Sequence, residues 1–148
     1  MKRFKKLSSK LSLSIVAFAI CLPVAGHAQP EWAGLGGRSK VTDLIAAGDF
    51  GQALLLAKSQ LAEAEAARGS SHPDLLPILH DLGTIYLVRQ NVQMAEQTFR
   101  RSLDIAKQAF GGTDSRTKDA MKDLATALLM DQRFQEAQQL LQQADVGR

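Results

Sequence analysis

The sequence predicts an all-α fold, an α-α superhelix of helical hairpins with about two and a half repeats. Two observations predict it: a pattern that returns every 42 residues, and apolar residues that recur at steps of three and four positions, the spacing of one helix face. No stretch shows the sustained alternation of apolar and polar residues that is typical of a strand. A chain of 148 residues is long enough for one short array and too short for two independent cores.

The repeat becomes visible when the sequence is shifted along itself by 42 residues. The segment DLGT at 81–84 returns as DLAT at 123–126. The register needs no gaps and divides the chain into repeats at about 39–68, 72–110 and 114–146. Three tripeptides also stand 42 residues apart: Gly48-Asp49-Phe50, Gln90-Asn91-Val92 and Gln132-Arg133-Phe134. In each case an alanine lies three residues after the last residue of the tripeptide.

Each repeat holds two predicted helices, as the second repeat shows with helices over 73–88 and 92–110. Pro73 suits the first turn of its helix, where no backbone donor is lost. Gly111-Gly112 ends the second helix, because glycine adopts the left-handed conformation of a helix C-cap. Upstream, three glycines at 34, 36 and 37 disfavour a helix, so the first helix of the array is predicted to be short, about 39–47.

The repeat resembles the tetratricopeptide family. The residues at the spacing of its signature are Leu79, Leu82, Gly83, Tyr86, Ala95 and Phe99. The 42-residue period, the string His72-Pro73-Asp74 and the segment AEQTFRRSL at 95–103 are similar to repeats of the kinesin-light-chain type. The resemblance covers about 38–146, and it implies a right-handed superhelix of helix pairs that binds a protein or peptide partner.

The resemblance also implies a core in which small residues lie where the two helices of a repeat cross. Gly83 and Ala95 are predicted at such a crossing, with large side chains around them. The last helix is rich in glutamine, and Phe134 and Leu141 are predicted to face inward on its single apolar stripe, so that this helix acts as a solubilising cap. The predicted core residues are Leu82, Gly83, Tyr86, Ala95, Phe99, Leu124, Ala125, Leu128, Ala137 and Leu141.

Residues 1–28 have the pattern of a secretory signal peptide: a basic start, an apolar run over 11–22 and small residues ending in Ala28. The run is shorter than the roughly 20 residues that span a bilayer. Cleavage after Ala28 would leave a flexible arm, 29–38, and a periplasmic or secreted bacterial protein. An uncleaved membrane anchor is the alternative. Cleavage also removes Cys21, the only cysteine, so no disulfide is expected.

The charge of the predicted mature chain argues against nucleic acid as a partner. The full chain has a net charge of +3, but five of its eighteen basic residues and none of its fifteen acidic residues lie in residues 1–28. Thirteen basic residues against fifteen acidic ones leave −2, which is not the basic footprint of a phosphate-binding protein. His72 and His80 have no metal-ligand spacing, and no catalytic motif occurs, so neither a metal, a cofactor nor an enzymatic activity is predicted.

The first helix of each pair is expected to line a concave groove. Thr42, Thr84 and Thr126 occupy the same position in all three repeats. Either each hydroxyl bonds to a carbonyl of the preceding turn, or the positions form a ladder that binds an extended peptide or a partner helix. The lysine and asparagine set with which chaperone-binding relatives hold a terminal carboxylate is largely missing. The candidate groove residues are Thr42, His80, Asp81, Thr84, Lys122, Asp123 and Thr126.

A second candidate surface lies at the N-terminal end, because the helix over 50–68 is apolar on several sides. Its residues are Trp32, Leu54 and Leu55, and either the arm folds back so that Trp32 packs there or the patch binds another molecule. The predicted function is an adaptor or assembly factor for a protein partner in the bacterial envelope. The alternatives are a self-assembling structural protein, joined through the short first repeat of one copy, and an accessory subunit of an envelope enzyme.

Overall fold

A computed structural model of the protein describes residues 40–145, and within that range it contains six helices and no strand. The predicted all-α repeat fold is confirmed. The predicted signal peptide, 1–28, and the predicted arm, 29–38, lie outside the described residues. Each helix packs on the next, and a 3₁₀ turn over Pro73–Leu75 leads into the third: α1 Lys40–Ala46, α2 Phe50–Arg68, α3 Leu76–Val88, α4 Val92–Phe110, α5 Ser115–Met130 and α6 Phe134–Asp145.

The turn inside each helical hairpin has the same backbone conformation in all three repeats. Gly48, Gln90 and Gln132, spaced by 42 residues, have positive φ angles of 78°, 58° and 62°. The N–H of Gln90 donates to the carbonyl of Leu87, and the N–H of Asn91 donates to that of Tyr86, both at 2.9 Å. This pattern is a Schellman motif, which ends a helix sharply. Glutamine adopts it less readily than glycine does, at a cost on the order of 1 kcal/mol.

Nine of the ten predicted signature residues are buried, and eight of them, all but Gly83, belong to one apolar core that extends from α1 to α6. The tenth prediction, Leu141, is wrong, because 36% of this residue is exposed. The inward position predicted for Phe134 is also wrong, since it is 61% exposed. The physical reason is that α6 packs on α5 and no further helix within residues 40–145 covers its far side.

The crossing of α3 and α4 depends on the absence of a side chain at Gly83. A Cβ atom built on Gly83 would lie 2.2 Å from Cε1 of the Phe99 ring, far inside van der Waals contact. The ring therefore lies directly against the backbone of α3. In the last repeat the equivalent positions hold Ala125 and Leu141, so a larger residue on the first helix is matched by a smaller one on the second.

Candidate functional site

A cleft of about 720 Å³ lies between α3 and α5, with residues of α4 also lining it. It lies on the first helices of two neighbouring repeats, where the groove is predicted. The apolar part of its lining includes Leu76, Pro77, Phe110 and Ala120. The polar part includes His80, Asp119, Lys122 and Asp123. Such a mixed lining suits a ligand that has both apolar and hydrogen-bonding groups.

An ion pair across the cleft joins the two repeats. Nδ1 of His80 on α3 lies 2.7 Å from Oδ2 of Asp123 on α5. The imidazole is about half exposed and the carboxylate is less so, which leaves the pair accessible from the cleft. In the 42-residue register His80 occupies the position of Lys122, so both repeats place a basic residue directly before an aspartate.

The charge of His80 depends on this pair. The hydrogen bond with Asp123 raises the pKa of His80 above its ordinary value of 6.5, although partial burial opposes the shift. The nearby carboxylates of Asp81 and Asp119 act in the same direction as Asp123. The imidazole therefore keeps its proton to a higher pH than a free histidine does, and the pair then presents a cation and an anion side by side.

None of the three threonines of the predicted ladder lines the cleft. The hydroxyl of Thr126 donates to the backbone carbonyl of Lys122 at 2.9 Å, the back-bonding interpretation of that position. Nζ of Lys122 donates to Oδ1 of Asp119, on the same helix, at 3.2 Å. Of the seven candidate groove residues, three line the cleft together: His80, Lys122 and Asp123. The other four lie outside its lining: Thr42, Asp81, Thr84 and Thr126.

The sequence analysis did not predict that the side chains of Arg116 and Phe110 stack on each other and line the cleft. The guanidinium carbon of Arg116 lies 3.3 Å from the centroid of the Phe110 ring. Its Nε and a terminal nitrogen donate to the two carboxylate oxygens of Asp114 at 2.8 and 3.0 Å. These hydrogen bonds lower the pKa of Asp114 to about 2. The stack depends on the turn between α4 and α5, and no pattern in the sequence indicates that conformation.

A comparison with protein families identifies the type of repeat that α3 to α6 form. A family model described as "Tetratricopeptide repeat" matches residues 78–144, which run from α3 to α6. Residues 78–144 belong to the tetratricopeptide repeat family. Tetratricopeptide repeats are typically protein-interaction domains, which suggests that these residues form a protein-protein interaction module. A comparison with curated proteins found no match. The similarity to kinesin-light-chain repeats stays a prediction.

Two arginine side chains connect elements of neighbouring helical pairs. Arg133, in the turn before α6, donates to Glu96 on α4 at 2.8 Å and to Glu136 on α6 at 2.7 Å. Burial opposes ionisation of Glu96, but hydrogen bonds from Arg100 and Arg133 leave its pKa below the ordinary value. One repeat earlier, Arg101 on α4 donates to the carbonyl of Ser70 at 2.7 Å. These contacts, with the shared core, connect the second and third helical pairs and join α4 to the turn after α2.

The two leucines of the predicted N-terminal apolar surface differ in how far they are exposed. Leu54 is partly buried and packs against the core of the tetratricopeptide array, whereas Leu55 is 72% exposed. Consecutive helical residues point about 100° apart, so the two side chains do not form one patch. Trp32 lies outside the described residues. The other exposed large apolar residues lie further along the chain, two near the turn between α3 and α4 and four from the end of α5 onward: Val88, Met94, Leu129, Met130, Phe134 and Leu141.

No group of three or more histidine, cysteine, aspartate or glutamate residues within 40–145 is placed to hold a metal ion. None of the six described helices is both long and apolar enough to cross a bilayer.

Proposed function

We propose that this protein is an exported tetratricopeptide-repeat adaptor or assembly factor that holds an extended segment of a partner protein in the cleft between α3 and α5. The observation that carries the proposal is a cleft of about 720 Å³ with an accessible ion pair, His80 and Asp123, that joins two repeats. The family's typical role in protein binding supports it. A bacterial envelope location rests on the signal-peptide pattern of residues 1–28.

The lining of the cleft indicates what kind of segment it accepts. Leu76, Pro77 and Phe110 offer an apolar surface for a side chain of the ligand. The backbone N–H and C=O groups of an extended peptide lose water on binding and need new partners. Because Nδ1 of His80 is already bonded to Oδ2 of Asp123 at 2.7 Å, the pair offers a ligand the other ring nitrogen, Nε2, as a donor and the other carboxylate oxygen, Oδ1, as an acceptor. The segment is therefore expected to place an apolar side chain and a stretch of backbone in the cleft together.

Removing either member of the ion pair should weaken partner binding. We expect His80→Ala and Asp123→Ala each to raise the dissociation constant about tenfold, or about 1.4 kcal/mol. This is less than the cost of breaking a buried charge pair, because the pair is partly solvated. A partner segment is first isolated from envelope extract with the purified wild-type protein and identified, and its affinity for each variant is then measured by calorimetry.

The matched control for this experiment is Asp104→Ala, which removes one carboxylate from an exposed position of α4 that does not line the cleft. It should bind the segment as the wild type does, and circular dichroism should show equal helicity for all variants. Equal affinities of His80→Ala, Asp123→Ala and the control would exclude the cleft as the binding site.

The export proposal has its own test. We expect the protein recovered from the bacterium that produces it to begin at Gln29 and to be found in the soluble envelope fraction, because signal peptidase cleaves after small residues such as Ala28. Intact mass and N-terminal sequencing measure this directly. A chain that starts at Met1 in the membrane fraction would support the uncleaved anchor instead, and a chain in the cytoplasm would overturn export.

A further inference from the structure

The basic residue of the ion pair in the cleft belongs to a repeated set, and it is the member of the set that titrates near neutral pH. The 42-residue register places a basic residue at the same position of all three repeats: Arg38, His80 and Lys122. Arg38 lies outside the described residues. Arginine and lysine keep their charge at physiological pH, whereas the charge of histidine ordinarily changes between about pH 5 and pH 8. The cation that joins two repeats across the cleft, 2.7 Å from Asp123, is the histidine.

The other charged groups around His80 are carboxylates, one amine and one guanidinium. Those that line the cleft with it come from the 3₁₀ turn and from α5: Asp74, Arg116, Asp119, Lys122 and Asp123. On α3 itself, the carboxylate of Asp81 also acts on His80. The residues that α4 contributes to the lining, Ser102 and Phe110, are uncharged, and no residue of α1 or α2 lines the cleft. Histidine is the one residue type in this set that ordinarily changes charge near neutral pH.

The contact with Asp123 also decides which nitrogen of the neutral ring keeps a proton. An ionised carboxylate only accepts hydrogen bonds, so Nδ1 of His80 is the donor to Oδ2 of Asp123. In the charged imidazole Nε2 carries a proton as well and is a second donor. In the neutral imidazole with Nδ1 protonated, Nε2 has a lone pair and accepts instead. Loss of one proton therefore reverses the hydrogen-bonding role of the ring nitrogen that Asp123 leaves available.

We propose that this proton regulates the cleft: the partner segment is bound while the imidazole of His80 is charged, and it is released when the imidazole becomes neutral. The inference rests on the proposed function, because it concerns the same segment in the same cleft. A backbone carbonyl of the segment accepts a hydrogen bond from Nε2 of the charged ring, and it faces a lone pair once the ring is neutral.

The direction of the pH dependence follows from the ion pair. The hydrogen bond with Asp123 raises the pKa of His80 above its ordinary value of 6.5, so the charged ring persists to a pH above that value. The form that binds the segment is therefore present at low and neutral pH. The affinity falls as the pH rises through the pKa of His80.

Calorimetry at two pH values tests this regulation, with a synthetic peptide of the partner segment identified as described above. We expect the wild type to bind the peptide about tenfold more weakly at about pH 9 than at about pH 6, on the scale of a hydrogen bond to a charged group. His80→Gln, which is neutral at both pH values, should bind with one affinity throughout. His80→Lys should bind more tightly than His80→Gln at about pH 9, because lysine is still charged there.

The matched control is His72→Gln, which replaces the other histidine of the described residues, one that does not line the cleft. This variant should show the same change of affinity with pH as the wild type, and circular dichroism should show equal helicity for all variants at both pH values. Equal affinity of the wild type at the two pH values, or an unchanged pH dependence in His80→Gln, overturns the regulation and leaves the proposed function standing. A peptide that binds the wild type at neither pH overturns the proposed function together with the regulation.

Nitrogen-15 NMR of the histidine rings tests the chemistry without a partner. The signals of His80 are those that His80→Gln removes. At high pH we expect Nδ1 of His80 to carry the proton and Nε2 to carry none, because Asp123 accepts from Nδ1. Asp123→Asn should lower the pH at which His80 titrates, since it removes the carboxylate that favours the charged ring. A neutral ring that keeps its proton on Nε2 overturns the proposed release.

Discussion

Replacing Gly83 with alanine is expected to lower the free energy of unfolding by about 1–3 kcal/mol, the usual cost of overpacking a core. The new Cβ atom would lie 2.2 Å from the Phe99 ring, and Phe99 is itself buried, so neither can move aside freely. Alanine favours a helix over glycine by about 1 kcal/mol, which offsets part of the loss and does not cancel a contact this short. Urea denaturation followed by circular dichroism measures the change.

Two further variants separate the contact from the effect of glycine itself. Gly51→Ala introduces the same change in α2, where the nearest atom to the new Cβ is Oδ1 of Asp49 at 3.7 Å, so this variant should be as stable as the wild type or more stable. Gly83→Ala with Phe99→Leu recreates the pair that the last repeat has at Ala125 and Leu141, and it should recover part of the stability lost by Gly83→Ala. If Gly83→Ala behaved like Gly51→Ala, the proposed crossing would be wrong.

The repeat register explains why much of the core is predictable from sequence. A small residue at Gly83 and a large one at Phe99 are related by the crossing of two adjacent helices, and that crossing recurs with the period. The same logic failed for Leu141, which occupies the position of Phe99 but is 36% exposed. An apolar stripe shows which side of a helix prefers to be covered, and it does not show whether a further helix is there to cover it.

The sequence predicts where the cleft lies but not which side chains contact one another in it. The family resemblance located it on the first helices of the repeats, and three of its seven candidate residues line it. The contact between His80 and Asp123 spans 43 residues and depends on how far apart the helices of successive repeats lie. The same holds for Arg133, which joins Glu96 to Glu136. Distances across a superhelix follow from packing of all its helices, which single-residue patterns do not contain.

The backbone conformation of the hairpin turns could not be predicted from the sequence either. The three tripeptides at 48–50, 90–92 and 132–134 marked the turns, but only the first has the glycine that a positive φ favours. Gln90 and Gln132 adopt the same left-handed conformation because the Schellman hydrogen bonds and the packing of the flanking helices require it. The tertiary fold thus imposes a conformation that these residues do not prefer locally.

The second large effect is expected for Ala95→Leu, at the upper end of about 1–3 kcal/mol. Ala95 is completely buried in α4, and the register places it where α4 meets α3, so three added carbon atoms have no free volume to occupy. Ala109→Leu is the matched control, because it makes the same change at an exposed position of the same helix. Thermal denaturation should show a melting temperature lower by several degrees for Ala95→Leu, since each kcal/mol corresponds to about 4–8 °C in a domain of 60–100 residues. The control should melt within a degree or two of the wild type, a shift of about 0.5 kcal/mol or less. Equal melting of the two variants would mean that position 95 is not at a helix crossing, and the 42-residue register would then be wrong.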